Sequence, residues 1–238
     1  MTNPLGQPIG HQVRRHDRYQ DMVVTSVDAP IVLSVWRGDP SAPTVVFLPG
    51  TMTHPLFYAE FLDGLNQRGL SVVGVHYQGH GKSLRIRRRL RWDALVANAA
   101  DAVVPRLPVP LWAYLDLDRV CRLPQTRARL LADPSGSRAY PLGFLVGLLT
   151  ADLSGLRDGS IPCPVLVIAA TRDPLFSFGY TRRVYDRIVA PSKQLLVFDA
   201  DRHLLFNECV ELVLDPLVDR IRTLATAQPA ASMAGDRR

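Results

Sequence analysis

Four short motifs place chemically capable residues directly after apolar, strand-like runs. They are Pro49-Gly50-Thr51-Met52, Gly79-His80-Gly81-Lys82-Ser83, Thr171-Arg172-Asp173-Pro174 and Asp201-Arg202-His203-Leu204. The first motif opens a glycine loop before a helix, where free backbone N–H groups can point at an anion. The last two motifs add a carboxylate and an imidazole at strand ends. Each motif also has a purely structural interpretation: an ordinary strand-to-helix turn for Gly50, a plain Asp-Pro turn for Asp173 and a surface histidine for His203.

The pattern of hydrophobic residues predicts the elements that must position these motifs. The predicted strands are residues 23–27, 31–36, 44–48, 70–76, 164–170 and 193–198. The predicted helices are residues 56–68, 92–104, 115–131, 140–153, 180–189 and 210–224. The first two strands suit a hairpin, the next two form a βαβ unit, and residues 83–161 contain no convincing buried strand. The pattern indicates an α/β sheet interrupted by a helical insert.

The ordered motifs resemble those of the α/β-hydrolase fold family, in particular its lipase-like and esterase-like serine hydrolases. The resemblance covers roughly residues 21 to 225. It implies that His203 is a general base, that Asp173 orients it, and that a backbone N–H of Thr51 or Met52 lies in the oxyanion hole. His54, near the glycine loop, is either a group that polarises a substrate carbonyl or an ordinary structural residue.

The nucleophile that this chemistry requires is missing from the sequence. The family places it in Gly-x-Ser-x-Gly, and the chain contains neither this motif nor its Asp or Cys equivalents. The remaining candidates, none of which is predicted on a strand-to-helix turn, are Ser83, Ser135, Ser137 and Ser177. The nucleophile is therefore unknown.

The strand count points to the same place in the chain. The predicted fold is an α/β-hydrolase-like, mostly parallel sheet with a helical cap, lacking about two central strands, since six of the family's eight are found. We infer an internal deletion joining a point near Ala97 to Val104, either biological or a gene-model error. Either residues 44–48 pair with residues 165–170, or two half-sheets meet at unpaired edges. Unpaired buried strand edges are costly, so pairing is the expected outcome.

The predicted organisation has five parts. They are a flexible basic arm (1–20), the N-terminal half of the core (21–104), a helical cap (105–160), the C-terminal half of the core (161–225) and a disordered tail (226–238).

Composition limits the classes of partner. The net charge is +6, and the densest basic cluster is Arg85, Arg87, Arg88, Arg89 and Arg91. The cluster lacks interleaved aromatic residues, so a solvated loop is favoured over an anion site and no nucleic-acid partner is expected. No stretch predicts a membrane span or a signal peptide, which favours a cytoplasmic location. The three cysteines have no metal-ligand spacing, so no metal or cofactor is predicted.

Two functions remain open at this stage. One is a serine-hydrolase-like enzyme acting on a small apolar ester or acyl substrate, with low or no activity because the nucleophile is not recognisable. The other is a non-catalytic hydrolase-like protein that binds a small apolar ligand under its cap, or a truncated gene product. Whether the chain is an enzyme is therefore uncertain.

Overall fold

A four-stranded sheet forms the N-terminal half of the core. The computed structural model describes residues 18–25, 30–77, 80–83 and 104–227. Strands β1 (Tyr19–Thr25), β2 (Pro30–Trp36), β3 (Thr44–Phe47) and β4 (Ser71–Val75) lie in the order β1-β2-β4-β3. The β1–β2 and β2–β4 ladders are antiparallel, and β3 pairs parallel with β4.

A second, two-stranded sheet carries the residues of the C-terminal half. Strands β7 (Val165–Ala170) and β8 (Lys193–Phe198) pair in parallel, with Val165 opposite Lys193 and Ala170 opposite Phe198. Because both strands run in the same direction, their carboxyl ends meet at one edge of the sheet, where the loops after them lie side by side.

Helices from both halves enclose one continuous hydrophobic core. Helix α1 (Ala59–Gln67) follows a 3-10 turn at Pro55–Tyr58, and α5 (Phe178–Arg187), α6 (Leu205–Glu208) and α7 (Val210–Ala227) belong to the C-terminal half. Helix α1 packs against α7, where Gly64 allows the side chain of Leu214 to approach. The buried core includes Trp36 from the first sheet and Phe198 from the second.

The cap consists of short elements rather than long helices. It contains α2 (Leu117–Val120), α3 (Pro124–Ala132) and α4 (Leu142–Leu149), with a small antiparallel ladder between β5 (Pro108–Pro110) and β6 (Ala139–Pro141). The single helix predicted over 115–131 is wrong, because the chain leaves helical geometry at Cys121 and restarts at Pro124. No long buried strand occurs among the described residues between 104 and 161, as predicted, but the structure adds two strands of three residues each, of which only Tyr140 is buried.

The predicted pairing of residues 44–48 with 165–170 is wrong. Among the described strands, β3 pairs only with β4 and β7 only with β8, so the two half-sheets are not hydrogen-bonded to each other. The side chains of Val46 and Leu48 are each 61% exposed. This part of the chain is open to water, which can satisfy backbone groups that a buried edge would leave orphaned. The expected penalty for leaving the edge unpaired is therefore reduced.

The predicted arm overlaps strand β1, and several other predicted segments lie outside the residues that the structure describes. Strand β1 begins at Tyr19, inside the predicted arm, because the Tyr19 ring packs edge-on against Trp36 at 5.0 Å. The arginine cluster and the junction near Ala97 lie outside the described residues, as does the helix predicted over 92–104 except for Val104. The tail from residue 228 onward also lies outside them. The described elements, two parallel strand pairs set among helices with a cap between them in sequence, form the predicted α/β architecture.

Candidate functional site

The structure brings Asp173 and His203 together. Nδ1 of His203 lies 3.0 Å from Oδ2 of Asp173, and both side chains are mostly buried. The other carboxylate oxygen, Oδ1, accepts hydrogen bonds from the backbone N–H groups of Leu175 and Phe176 at 2.7 and 3.0 Å. An imidazole that donates from Nδ1 has its Nε2 lone pair available to accept a proton. The geometry is that of an oriented base.

The parallel pairing of β7 and β8 sets this distance. Beyond the strands, the N–H of Thr171 donates to the carbonyl of Phe198 at 2.9 Å, and the N–H of Arg172 donates to the carbonyl of Ala200 at 3.0 Å. These bonds continue the alignment into the two loops. Asp173 and His203 therefore reach each other across 30 residues of sequence without long side chains.

A cleft lies beside His203, between the half-sheets. Its volume is about 290 Å³, near the lower end of the range for ligand pockets. Its lining is mostly apolar and comprises Phe47, Leu48, Gly50, Tyr58, Ile168, His203, Leu204, Leu205 and Phe206. The cleft thus offers a small apolar space next to an oriented base.

The glycine loop presents its two predicted oxyanion donors unequally. Thr51 is exposed, whereas Met52 is buried and has a left-handed φ of 73°. The backbone N–H of Met52 donates to the hydroxyl oxygen of Tyr140, a cap residue, at 2.5 Å. This hydroxyl is also 2.8 Å from Nε2 of His80. In this conformation the Met52 donor is already engaged by the protein itself.

None of the four serines considered as nucleophiles is hydrogen-bonded to His203 in the described structure. Ser83 Oγ donates to the carbonyl of His76 at 2.7 Å and accepts from the N–H of Val32 at 2.9 Å. Ser177 caps helix α5, and Ser137 Oγ donates to the carbonyl of Ala139. Ser135 supplies its backbone carbonyl to the N–H of Gly81. Their bonding gives each of these residues a structural role.

His54 belongs to a buried polar cluster instead of a substrate site. Its ring is fully buried, and Nε2 lies 2.7 Å from Oδ2 of Asp133 in the cap. Among the described residues its Nδ1 has no hydrogen-bond partner. The ring stacks on His76 with 5.8 Å between centroids. The interpretation of His54 as a group that polarises a carbonyl is therefore wrong, because no substrate can reach a ring with no exposed surface.

His76 and Gly81 show how tightly this cluster is packed. Burial, together with the nearby charges of His54 and Lys82, lowers the pKa of His76 to about 3. Its Nε2 is 2.9 Å from Ser34 Oγ, and its Nδ1 accepts from the N–H of Lys82 at 3.1 Å. A Cβ at Gly81 would lie 2.0 Å from His76 Nδ1, and the φ of +57° at this residue also favours glycine.

Comparison with known proteins assigns this chain to a family. The model of the serine aminopeptidase family S33 matches residues 84–210, a little over half of the chain. This chain is an α/β-hydrolase family member. The family explains why an Asp and a His follow neighbouring parallel strands, but the match by itself supplies no nucleophile.

Individual relatives agree with the family assignment. A monoacylglycerol lipase from Mycolicibacterium smegmatis is 30% identical over 129 residues, which are 53% of this chain and 45% of that relative's length. The chain thus matches less than half of this relative.

Solved structures support the fold. The fold is similar to a soluble variant of monoglyceride lipase from Saccharomyces cerevisiae, with a TM-score of 0.68, 12% identity, and coverage of 91% of this chain and 99% of the other. It is also similar to a carboxyl esterase from Bacillus coagulans, with a TM-score of 0.62, 12% identity, and coverage of 88% and 99%.

Sequence reasoning missed two residues that shape the site, Asp133 and Tyr140. Asp133 precedes a proline in a segment that reads as a turn, and Tyr140 stands at the start of an apolar run. Neither has a local pattern that indicates its partner, because His54 and Met52 lie 79 and 88 residues away.

Within the described residues, no group of three or more His, Cys, Asp or Glu side chains is arranged to hold a metal ion.

Proposed function

We propose that this chain is an α/β-hydrolase that binds a small apolar ester and turns it over at no more than background rates. The observation that carries the proposal is the state of His203. It is oriented by Asp173, yet no serine, threonine or cysteine among the described residues is hydrogen-bonded to it. The sequence also lacks Gly-x-Ser-x-Gly throughout. In this proposal Asp173 and His203 keep the roles of orienting acid and base.

The expected loss of activity follows from how a triad works. Residues of a catalytic triad act as one unit, so removing the serine alone costs about as much as removing all three, roughly a factor of 10⁶ in kcat. What remains in such variants comes from the oxyanion hole and substrate binding. Here the Met52 N–H is engaged by Tyr140, which weakens that remainder as well.

The ligand class rests on the cleft and the relatives. The cleft of about 290 Å³ suits a small ligand, and its side chains are mostly aliphatic or aromatic. The similar proteins include a monoacylglycerol lipase and a carboxyl esterase. We therefore propose a monoester with a short or medium acyl chain, with the ester group toward His203.

Among the described residues, none of the helices combines the length and the apolar character that a membrane span requires.

Covalent labelling tests the absence of the nucleophile. The purified chain is incubated with a fluorophosphonate probe and analysed by intact mass, beside an active serine esterase as positive control. We expect no adduct on this chain. A stoichiometric serine adduct that disappears in His203→Ala would contradict the proposal.

Binding is tested separately with a non-hydrolysable ether analogue of a medium-chain monoacylglycerol, followed by calorimetry. Leu48→Asp places a charge in the lining of the cleft and should weaken binding by at least about tenfold, since an apolar ligand seated there would take water away from the carboxylate. Val46→Asp is the matched control, because Val46 lies two residues earlier in the chain, on β3, with the same 61% exposure but does not line the cleft. Equal binding by both variants would remove the cleft from the proposal.

A further inference from the structure

The two half-sheets present open strand edges to the cleft between them. In the described part of the chain, β3 has a strand partner only in β4, and β7 only in β8. Phe47 of β3 and Ile168 of β7 both line the cleft. So do Gly50, which follows β3, and His203, in the loop beyond β8. Because β7 and β8 are parallel, the carboxyl ends of β3 and β7 both lie at this cleft.

The open edge of β7 carries backbone groups that the chain itself does not use. The N–H of Val165 donates to the carbonyl of Ser192, on the β8 side. Backbone groups alternate between the two sides of a parallel strand, so those of Leu166 and Ile168 point away from β8 and into the gap. Among the described residues, neither forms a hydrogen bond on that side. The edge is therefore ready to pair with a further strand.

A second cavity lies farther along the same strand. Its volume is about 330 Å³, and its lining comprises Leu166, Gln194, Leu195, Leu196 and Arg220. Oε1 of Gln194 is buried and has no hydrogen-bond partner in the described structure. A buried oxygen in this state is costly, and an N–H group of a ligand would relieve the cost. Since β7 contributes to both cavities from positions two residues apart, the space along it suits an extended ligand.

We propose that an extended apolar peptide segment of a partner protein inserts between the half-sheets and pairs with the open edges of β3 and β7. Strand addition draws affinity from main-chain hydrogen bonds and selectivity from alternate side chains. Val46 on β3 is 61% exposed, and apolar residues at alternate positions of the peptide would cover it. At a rise of roughly 3.3 Å per residue, the six residues of β7 match about six residues of peptide.

A second folded copy of the chain suits the gap less well than a separate peptide segment. A strand that bridges the two half-sheets must be free on both of its own edges, whereas each described strand already has a partner on at least one edge. The proposal rests on the strand edges and not on the ester of the proposed function, which would compete with the peptide for the cleft.

Fluorescence anisotropy with a synthetic peptide tests the proposal. The probe is capped Thr-Val-Thr-Val-Thr-Val with a fluorophore on an uncharged tail. We expect it to bind, and a form with N-methylated valine amides to bind at least about tenfold more weakly, because those amides no longer donate hydrogen bonds. Val46→Lys should weaken binding by a similar factor, since lysine on an edge opposes strand addition. Val23→Lys, at a 70% exposed valine of β1 at the far edge of the first sheet, is the matched control and should bind as the wild type does.

Amide hydrogen exchange locates the bound peptide. The N–H groups of Leu166 and Ile168 should exchange at least about tenfold more slowly when the peptide is present, while exchange in β1 stays unchanged. No binding of the peptide, equal binding of its N-methylated form, or equal effects of Val46→Lys and Val23→Lys would overturn the proposal. So would protection of the same amides without peptide that rises with protein concentration, because a second copy would then fill the gap.

Discussion

Among single residues, His76 is held neutral far below the pH at which a free imidazole takes up a proton. Its pKa in the folded chain is about 3, mainly because burial disfavours the charged ring, and the charges of His54 and Lys82 act in the same direction. Asp21 opposes the shift. The unfolded chain, with a pKa near 6.5, therefore binds more protons than the folded chain between about pH 6.5 and pH 3.

This difference predicts a loss of stability on mild acidification. The contribution of His76 is present above pH 6.5 and is lost as the pH falls toward 3. Between pH 7 and pH 4.5 the free energy of unfolding should fall by about 2 to 3 kcal/mol from this residue alone. Urea unfolding at both pH values measures the change. His76→Gln should be less stable at neutral pH but should show a shallower pH dependence, and an unchanged slope would contradict the assignment.

At the same scale, motif order in the sequence predicted that Asp173 and His203 belong to one site, and the structure brings them within hydrogen-bond distance. Their catalytic roles remain a proposal. The roles of Asp133 and Tyr140 were not predictable, because a hydrogen bond across 79 or 88 residues leaves no local pattern in the chain.

At the scale of elements, one short segment of the cap supplies several polar contacts with the N-terminal half of the core, beside the bonds from Arg122 and Leu123 to Glu208 in the C-terminal half. Residues 133–141 make the His54–Asp133 contact, the Met52–Tyr140 bond, and backbone bonds from Gly81 to Ser135 and from Ser137 to Met52. Apolar contacts are non-directional, so by themselves they would fix the position of the cap on the core less firmly. These polar contacts, most of them buried, fix its position over the glycine loop.

Removing one of these ties should destabilise the fold. Asp133→Ala leaves the buried Nε2 of His54 without its carboxylate partner, and losing the partner of a buried hydrogen-bonding group costs about 1 to 3 kcal/mol. Asp118→Ala, which removes an exposed partner of Arg127, should change stability by less than about 1 kcal/mol. Chemical unfolding of both variants, with limited proteolysis of the cap, provides the measurement. Similar unfolding midpoints for the two variants would show that the His54–Asp133 contact is not a structural tie.

Element prediction succeeded where a local pattern dominates. The alternation and length of apolar runs located all six core strands, and the apolar stripe and Gly69 located helix α1 with its end. Prediction failed in the cap and at the gap in the sheet. Pairing between β3 and β7 depends on contacts between segments more than 100 residues apart in sequence, which no window of sequence contains.

At the scale of the whole molecule, the divided sheet leaves apolar strand surface open to other chains. Val46 on β3 is 61% exposed, and β3 has a described strand partner on one side only. Open strand edges are templates for pairing with further strands. A charge at this position should therefore reduce association between copies.

Light scattering during storage at raised concentration tests this expectation. Val46→Lys should aggregate more slowly than the wild type, because lysine on an edge opposes strand addition. Val189→Lys adds the same charge at a 48% exposed valine that lies outside the strands and serves as the control. If both variants slow aggregation equally, net charge and not the β3 edge is responsible.

The bond between Tyr140 and Met52 bears on how acyl transfer could be introduced into this chain. A serine introduced beside His203 would still face a glycine loop whose Met52 amide is already satisfied by a phenol from the cap. Under the proposed function, introducing acyl transfer takes at least two changes in separate parts of the chain, one to supply a nucleophile and one to release that amide. Neither change alone would improve turnover much, so single-step selection has little to act on. Under the proposed function, this hydrogen bond makes it harder for single substitutions to produce an active serine hydrolase from this chain.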